Sequence, residues 1–453
     1  MSNGISGFLP LLAVVLGLLA QACVDRDAAI AGPWDRGGVR LIISPSHAPM
    51  GERVGLCVTN LDPGRKIRIA SYMKYRFPGG AIHYLSSHAD FIADSSGKVD
   101  CSSQAPVSGT YGATNSMGLF YSRTPLLNLT NVPSFVTNSR LAGATFFVVG
   151  DDHDGVVAVS LFKEDDLSRR LYTGKLKWRG LDGYVLRPRV GKRLPCVIVL
   201  HGSEGGDSPW AYYFAESIAA RGYVCIDLNY FQAGKLPAEL RKIPLEYFGQ
   251  CIRWAKSRRF ADPDRIAVLG GSRGGELALL LGSVYTDIKA VVAYSGSGIL
   301  QGATGDNPQA AAWTYGGKDL PHAPFYTSGI SDIEGLASDP AFSNAVIRAE
   351  KINGPILMIS GAGDKLWPSA RLLGVMTNRL RQHSFQFPYR LLVYKGAGHG
   401  FGLPDMVPAD DYSLEKFGGN VDDMARASED SWVRMLDFLK TALGPDRGGK
   451  KGR

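Results

Sequence analysis

The segment Gly270-Gly-Ser-Arg-Gly274 constrains this chain more than any other. It follows the apolar run Arg265-Ile-Ala-Val-Leu269, which reads as a short buried strand, and precedes Gly275-Glu-Leu-Ala-Leu-Leu-Leu-Gly282, which reads as a helix. A serine on so tight a turn is forced clear of the sheet, and flanking glycines relieve crowding around a strained backbone. The helix that starts there aims N–H groups and a partial positive charge at the serine. The bland alternative is a glycine-rich turn with a bystander serine, since G-x-S-x-G recurs by chance. The strand–turn–helix setting favours a nucleophile at Ser272.

A nucleophile on this topology needs an acid and then a histidine further along the chain. Asp364 lies just past the apolar strand Pro355–Gly361, and His399 sits in Gly396-Ala-Gly-His-Gly400 after the strand Leu391–Tyr394. Of eight histidines only His383 and His399 follow Asp364, and His383, among polar residues near the end of a predicted helix, reads as a surface residue. Asp332, Glu334 and Asp339 compete for the acid's role; the strand-end position favours Asp364. His399 would take the Ser272 proton and return it to the leaving group, with Asp364 orienting the imidazole. An oxyanion needs two donors. The backbone N–H of Arg273 is one, and Ser203 or Glu204 in His201-Gly-Ser-Glu-Gly-Gly206, after the strand Pro195–Leu200, supplies the other. A plain glycine-rich turn is the alternative reading of that loop.

At 453 residues the chain is too long for one ordinary domain. Its pattern changes near residue 170. Within 40–165, short β-rich runs (Leu41–Ser44, Val54–Thr59, Lys66–Ala70, Ala144–Val149, Val156–Leu161) alternate with turn residues, the signature of an all-β sandwich of immunoglobulin-like type. Over 170–445 strands alternate with helices at Ala211–Arg221 and Pro244–Arg258, which predicts a parallel sheet covered on both faces. The stretch 297–353, rich in Gly, Pro, Trp and Tyr, breaks the alternation and reads either as a lid or acyl-pocket wall or as a surface excursion.

The net charge of +8 is modest at this length, and the basic tail 446–453 holds four of the positive charges. No recognition motif accompanies them, so no nucleic-acid partner is expected. Basic residues would suit an anionic substrate such as a CoA thioester, but a solvated basic surface is the simpler account. Residues 1–22 form a hydrophobic segment whose run Phe8–Ala20 suits a signal peptide better than a membrane span. Ala20-Gln-Ala22 resembles a cleavage site, and Leu19-Ala-Gln-Ala-Cys23 a lipobox that would put lipid on Cys23, anchoring the chain to a membrane. Two features depart from that pattern: no Lys or Arg precedes the run, and Ala20 stands where leucine is usual. Export (periplasmic, secreted or lipid-anchored) is the expectation, with a cytoplasmic enzyme as the alternative. Of six cysteines, Cys196, Cys225 and Cys251 read as core residues, while Cys57 and Cys101 are candidates for a bridge. No His/Cys spacing suits a metal, and neither metal nor cofactor is expected.

From about residue 40 to 445 the chain resembles the acyl-CoA thioesterase and bile acid-CoA:amino acid N-acyltransferase family. The resemblance rests on Gly109-Thr-Tyr-Gly-Ala-Thr-Asn-Ser-Met-Gly-Leu-Phe-Tyr-Ser122, the elbow Gly270–Leu279, Gly361-Ala-Gly-Asp364, Gly396–Gly400 and Gly418–Trp432. It implies an α/β-hydrolase domain after the β-sandwich, a triad on Ser272, Asp364 and His399, and hydrolysis or transfer of activated acyl groups. Conjugating members use a cysteine nucleophile. An acyl-serine is an ordinary ester whose usual fate is water, so Ser272 favours a thioesterase over an N-acyltransferase. Export would separate the enzyme from cytosolic CoA, which keeps an exported carboxylesterase or amidase in view. A non-catalytic binding lipoprotein fits the ordered triad poorly.

Overall fold

The computed structural model describes residues 38–49, 51–76, 82–126, 144–151, 155–164, 170–324, 333–340 and 342–444. The hydrophobic segment 1–22, Cys23 and the tail 446–453 lie outside them. The chain divides into two compact units between Asp166 and Leu167, with Pro404–Asp410 returning to the first. The returning segment, read in the sequence as part of the second region, is held in the first unit by Asp405, whose carboxylate accepts the Gly51 N–H at 2.9 Å.

The first unit is built on strands. Arg40–Ser44, Gly55–Thr59 and Val99–Asp100 form one antiparallel sheet. A larger sheet runs His47–Ala48, Gly155–Glu164, Ala144–Asp151, Lys66–Arg76, Ile82–Ile92, Ser108–Gly109. Ile82–Ile92 escapes a reading by apolar runs because His83, Ser86, Ser87, His88 and Asp90 interrupt it. Cys57 and Cys101 do not bridge; both are free thiols. Register explains it. Cys57 pairs with Asp100 and the Cys101 N–H donates to the Leu56 carbonyl, so Cys101 follows the inward Leu56 while Cys57 faces the other way.

The second unit carries an eight-stranded sheet: β1 (Leu171–Lys175), β2 (Asp182–Pro188), β3 (Leu194–Leu200), β4 (Val224–Asn229), β5 (Ala261–Gly271), β6 (Ile288–Tyr294), β7 (Ile356–Gly361) and β8 (Tyr389–Tyr394). Their spatial order is β1-β2-β4-β3-β5-β6-β7-β8, parallel from β4 to β8 with β1 and β2 antiparallel. β3, β4 and β7 are buried at every residue because helices cover both faces, whereas edge strand β8 is only partly covered.

The helices that cover the sheet have legible starts. α1 (Pro209–Ala219) begins with Ser208, whose side chain accepts the Ala211 N–H, and with proline at its first position. α2 (Leu245–Lys256) and α3 (Arg273–Val284) follow, then α4 (Ser369–Gln382) and α5 (Val421–Leu443). Asn420 caps α5, Asp422 and Asp423 occupy its first turn, and Gly444 at φ 70° ends it. Among the described residues no helix is long and apolar enough to cross a membrane.

Glu216 on α1 is a half-buried carboxyl whose partial burial pushes it from 4.5 up to about 7. The folded chain therefore keeps a proton that the unfolded chain releases, and the stability present below pH 4.5 is lost as pH rises through about 7. Glu216→Gln removes that cost. In urea unfolding it should add about 2–3 kcal/mol at pH 8 and little at pH 4.5. An equal gain at both pH values would reject burial of the charge as the cause.

Candidate active site

Ser272 sits between the last residue of β5 and the first of α3, with φ 56° and ψ −123°. A side-chain-bearing residue in this region is strained by about 1–3 kcal/mol and persists only where its surroundings fix it. Here the Ser272 N–H donates to the Tyr294 carbonyl at 2.8 Å, and its own carbonyl accepts from Gly275 and Glu276 at 2.9 and 3.1 Å. Gly270 and Gly274 are required by contact. A Cβ on Gly270 would lie 2.0 Å from the Gly274 oxygen, and one on Gly274 2.4 Å from the Leu200 and His201 oxygens. The serine is half-buried while Arg273 to Gly282 are buried beneath it.

Asp364 and His399 follow the carboxyl ends of the neighbouring parallel strands β7 and β8, and the structure brings them together. His399 Nδ1 donates to Asp364 Oδ2 at 2.8 Å, with the two side chains 8% and 1% exposed. Asp364 Oδ1 accepts the N–H groups of Leu366 and Trp367 at 3.0 and 3.2 Å, and Oδ2 also accepts Ser369 Oγ at 2.5 Å. The His399 backbone N–H reaches the Phe417 carbonyl at 2.9 Å, and Ser295 Oγ donates to its carbonyl at 3.0 Å. Its ring lies between those of Trp367 and Phe417, both at 6.1 Å. Tyr294-Ser295 thus holds the serine turn with one residue and the histidine loop with the next. His383 caps α4 at the exposed surface and Asp339 is exposed, while Asp332 and the Glu334 side chain lie outside the described residues.

The sequence reading missed these supports. The one signal it held was Gly418-Gly419, noted as a resemblance without a role. Gly418 bridges to Asp364 and Gly419 to Ala397, so this segment braces the loops of both acid and base. Ser295, Trp367 and Ser369 left no motif.

The loop after β3 passes beside the nucleophile: a Cβ on Gly202 would lie 3.0 Å from Ser272 Cβ. The Glu204 carboxylate folds back to accept the Gly202 N–H at 3.1 Å and Ser208 Oγ at 2.7 Å, tying the loop to the start of α1. Among the described residues, the backbone N–H groups of Ser203 and Glu204 meet no internal acceptor. His201 is buried and stacked on Tyr230 at 4.0 Å, and burial pushes its pKa down, favouring the neutral imidazole. Its Nδ1 lies 2.9 Å from the Gly202 carbonyl and Tyr230 Oη donates to its own carbonyl at 2.6 Å.

In the described part of 297–353, residues 297–303 and 311–313 are buried while 305–309 and 315–319 are exposed. Ile299, Leu300, Ala312, Trp313 and Ala323 join the core. Arg273, from the first turn of α3, anchors this stretch. One guanidinium nitrogen pairs with Glu276 Oε2 at 3.1 Å and another donates to the Gln301 and Gly302 carbonyls at 3.0 Å each. Glu276 Oε1 accepts Trp313 Nε1 at 2.8 Å. Burial pushes the Glu276 carboxyl up to about 7, against the pull of Arg273 and the Trp313 donor. Among the described residues no cluster of His, Cys, Asp or Glu is placed to hold a metal.

A strained serine after β5, an acid after β7 and a histidine after β8, on a sheet of this order, define the α/β-hydrolase class. Residues 243–445 match the C-terminal region of the BAAT/acyl-CoA thioester hydrolase family, and residues 51–147 its N-terminal region. The peroxisomal succinyl-coenzyme A thioesterase of Mus musculus is 26% identical over 87% of this chain and 94% of its own length. Mouse acyl-coenzyme A thioesterase 1 is 25% identical over the same shares, 87% and 94%. Mouse acyl-coenzyme A amino acid N-acyltransferase 1 is 25% identical over 89% of this chain and 98% of its own. The chain belongs to the BAAT/acyl-CoA thioester hydrolase family and is an enzyme of the thioester-hydrolase type.

Proposed function

We propose that the protein hydrolyses acyl-CoA thioesters through an acyl-serine intermediate. His399 accepts the Ser272 hydroxyl proton as Oγ attacks the thioester carbon. The tetrahedral oxyanion is received by the Arg273 N–H and by that of Ser203 or Glu204, the thiol leaves with the proton from His399, and water activated by the same imidazole cleaves the acyl ester. Asp364 holds the imidazole tautomer throughout. The observation that carries this reading is the His399–Asp364 pair at 2.8 Å beside the strained Ser272 turn. A serine nucleophile favours water over an amine as acyl acceptor.

We read the first unit as an immunoglobulin-like sandwich and residues 1–22 as an export signal with Cys23 as lipid acceptor, supported by the strand pattern and the Leu19–Cys23 motif respectively. That N-terminus favours the second reading, an exported carboxylesterase or amidase with the same triad. An acyl-CoA and a p-nitrophenyl ester with the same acyl chain separate the two. Preference in kcat/KM for the thioester by about 10-fold or more supports the first reading, whereas turnover of the ester with indifference to CoA supports the second.

A further inference from the structure

We infer that Ser369 is a positioning residue for the acid–base pair, acting through Asp364; this rests on the catalytic reading above. Ser369 is fully buried at the first position of α4, and its Oγ donates to Asp364 Oδ2 at 2.5 Å, the same oxygen that receives His399 Nδ1 at 2.8 Å. Oδ1 is filled by the Leu366 and Trp367 N–H groups. A carboxylate has about four acceptor sites. Four donors therefore occupy Asp364, and three of them are independent of His399. These three fix the plane of the carboxylate, and that plane in turn sets the imidazole.

The hydroxyl of Ser369 is itself fixed. It lies 2.6 Å from Ser360 Oγ, and Ser360 is fully buried in β7. Ser369 has one proton and spends it on the carboxylate, so Ser360 must be the donor between the two hydroxyls. The relay Ser360–Ser369–Asp364–His399 thus runs from the core of the sheet to the base. Without Ser369, Oδ2 keeps only its bond to the residue it should be holding, and the carboxylate, pinned then through Oδ1 alone, turns more widely about its Cβ–Cγ bond. The base then spends less time aimed at Ser272, which slows acylation and leaves substrate binding intact.

The test uses the full chain with Ser369→Ala, Ser360→Ala and Ser272→Ala. The readouts are kcat and KM on an acyl thioester, the rate of fluorophosphonate labelling, and the melting temperature. Ser369→Ala should lower both kcat and the labelling rate on the order of tenfold to a hundredfold, with KM within about twofold of wild type. Ser360→Ala should show a smaller loss of the same kind. A kcat within about twofold of wild type in folded Ser369→Ala, or a loss confined to KM, overturns the inference. If Ser369→Ala does not fold, Ser360→Ala decides: lowered kcat at unchanged KM supports the relay and unaltered kcat overturns it. Wild-type labelling that persists in Ser272→Ala would mean that the nucleophile reading has failed, and this inference with it.

Discussion

Ser272→Ala should abolish acyl transfer, lowering kcat by about 10⁵–10⁶ while leaving the melting temperature within a few degrees of wild type. The size follows from what is removed. With the proposed acyl carrier gone, only binding and the oxyanion donors remain to help water. The fold should tolerate the change because alanine keeps the Cβ, and the contacts that hold the turn run through the Ser272 backbone. Relief of backbone strain is not expected, since φ stays positive. Single-turnover assays with an acyl thioester provide the measurement. A residual rate within about 100-fold of wild type would mean that another nucleophile or direct attack by water carries the reaction.

The second large effect concerns the acid. Asp364→Asn should lower kcat by about 10⁴. The amide is nearly the same size, so the loop should keep its shape. Oδ2 is the atom that meets both His399 Nδ1 and Ser369 Oγ. If the amide nitrogen takes that place, donor faces donor at His399; if the amide oxygen does, the nitrogen faces the Leu366 and Trp367 N–H groups. The second arrangement sets the amide nitrogen against two fixed N–H donors, so the first is favoured, and it holds the imidazole in the tautomer that cannot accept the Ser272 proton. Rates of fluorophosphonate labelling check this without needing the natural substrate. Labelling by Asp364→Asn at the wild-type rate would return the acid's role to a rival such as Asp339.

Much of the candidate site was legible in residue order. Ser272 was marked by its setting between an apolar strand and a helix. His399 was reached by elimination, and Asp364 by its place past a strand end. Each signal is local, because backbone sterics and burial act over a few residues. The supports were not legible for the opposite reason. Ser369, Ser295 and Phe417 act only where separate loops meet, and an ordinary serine or phenylalanine carries no mark of that. The cysteines show the limit of a reading by region: Cys57 lies on a strand and Cys101 one residue past the strand that pairs with it, and the alternation of side chains turns them to opposite faces. The stretch from 297 broke the helix–strand pattern and read equally as a lid or acyl-pocket wall and as a surface excursion. Its segments 297–303 and 311–313 lie in the core, where the buried charge of Arg273 takes the Gln301 and Gly302 carbonyls and Glu276 takes the Trp313 N–H.

The sequence by itself determined the α/β-hydrolase class, the order of the three candidate residues and the family, since these follow from periodicity, turn chemistry and residue order along the chain. Tertiary structure alone decided which backbone groups brace Asp364 and His399, that Pro404–Asp410 returns to the first unit, and that a buried Arg273–Glu276 pair fastens Trp313. Those are partnerships between residues far apart in the chain. Their energy comes from hydrogen bonds and burial that exist only once the strands have been placed side by side.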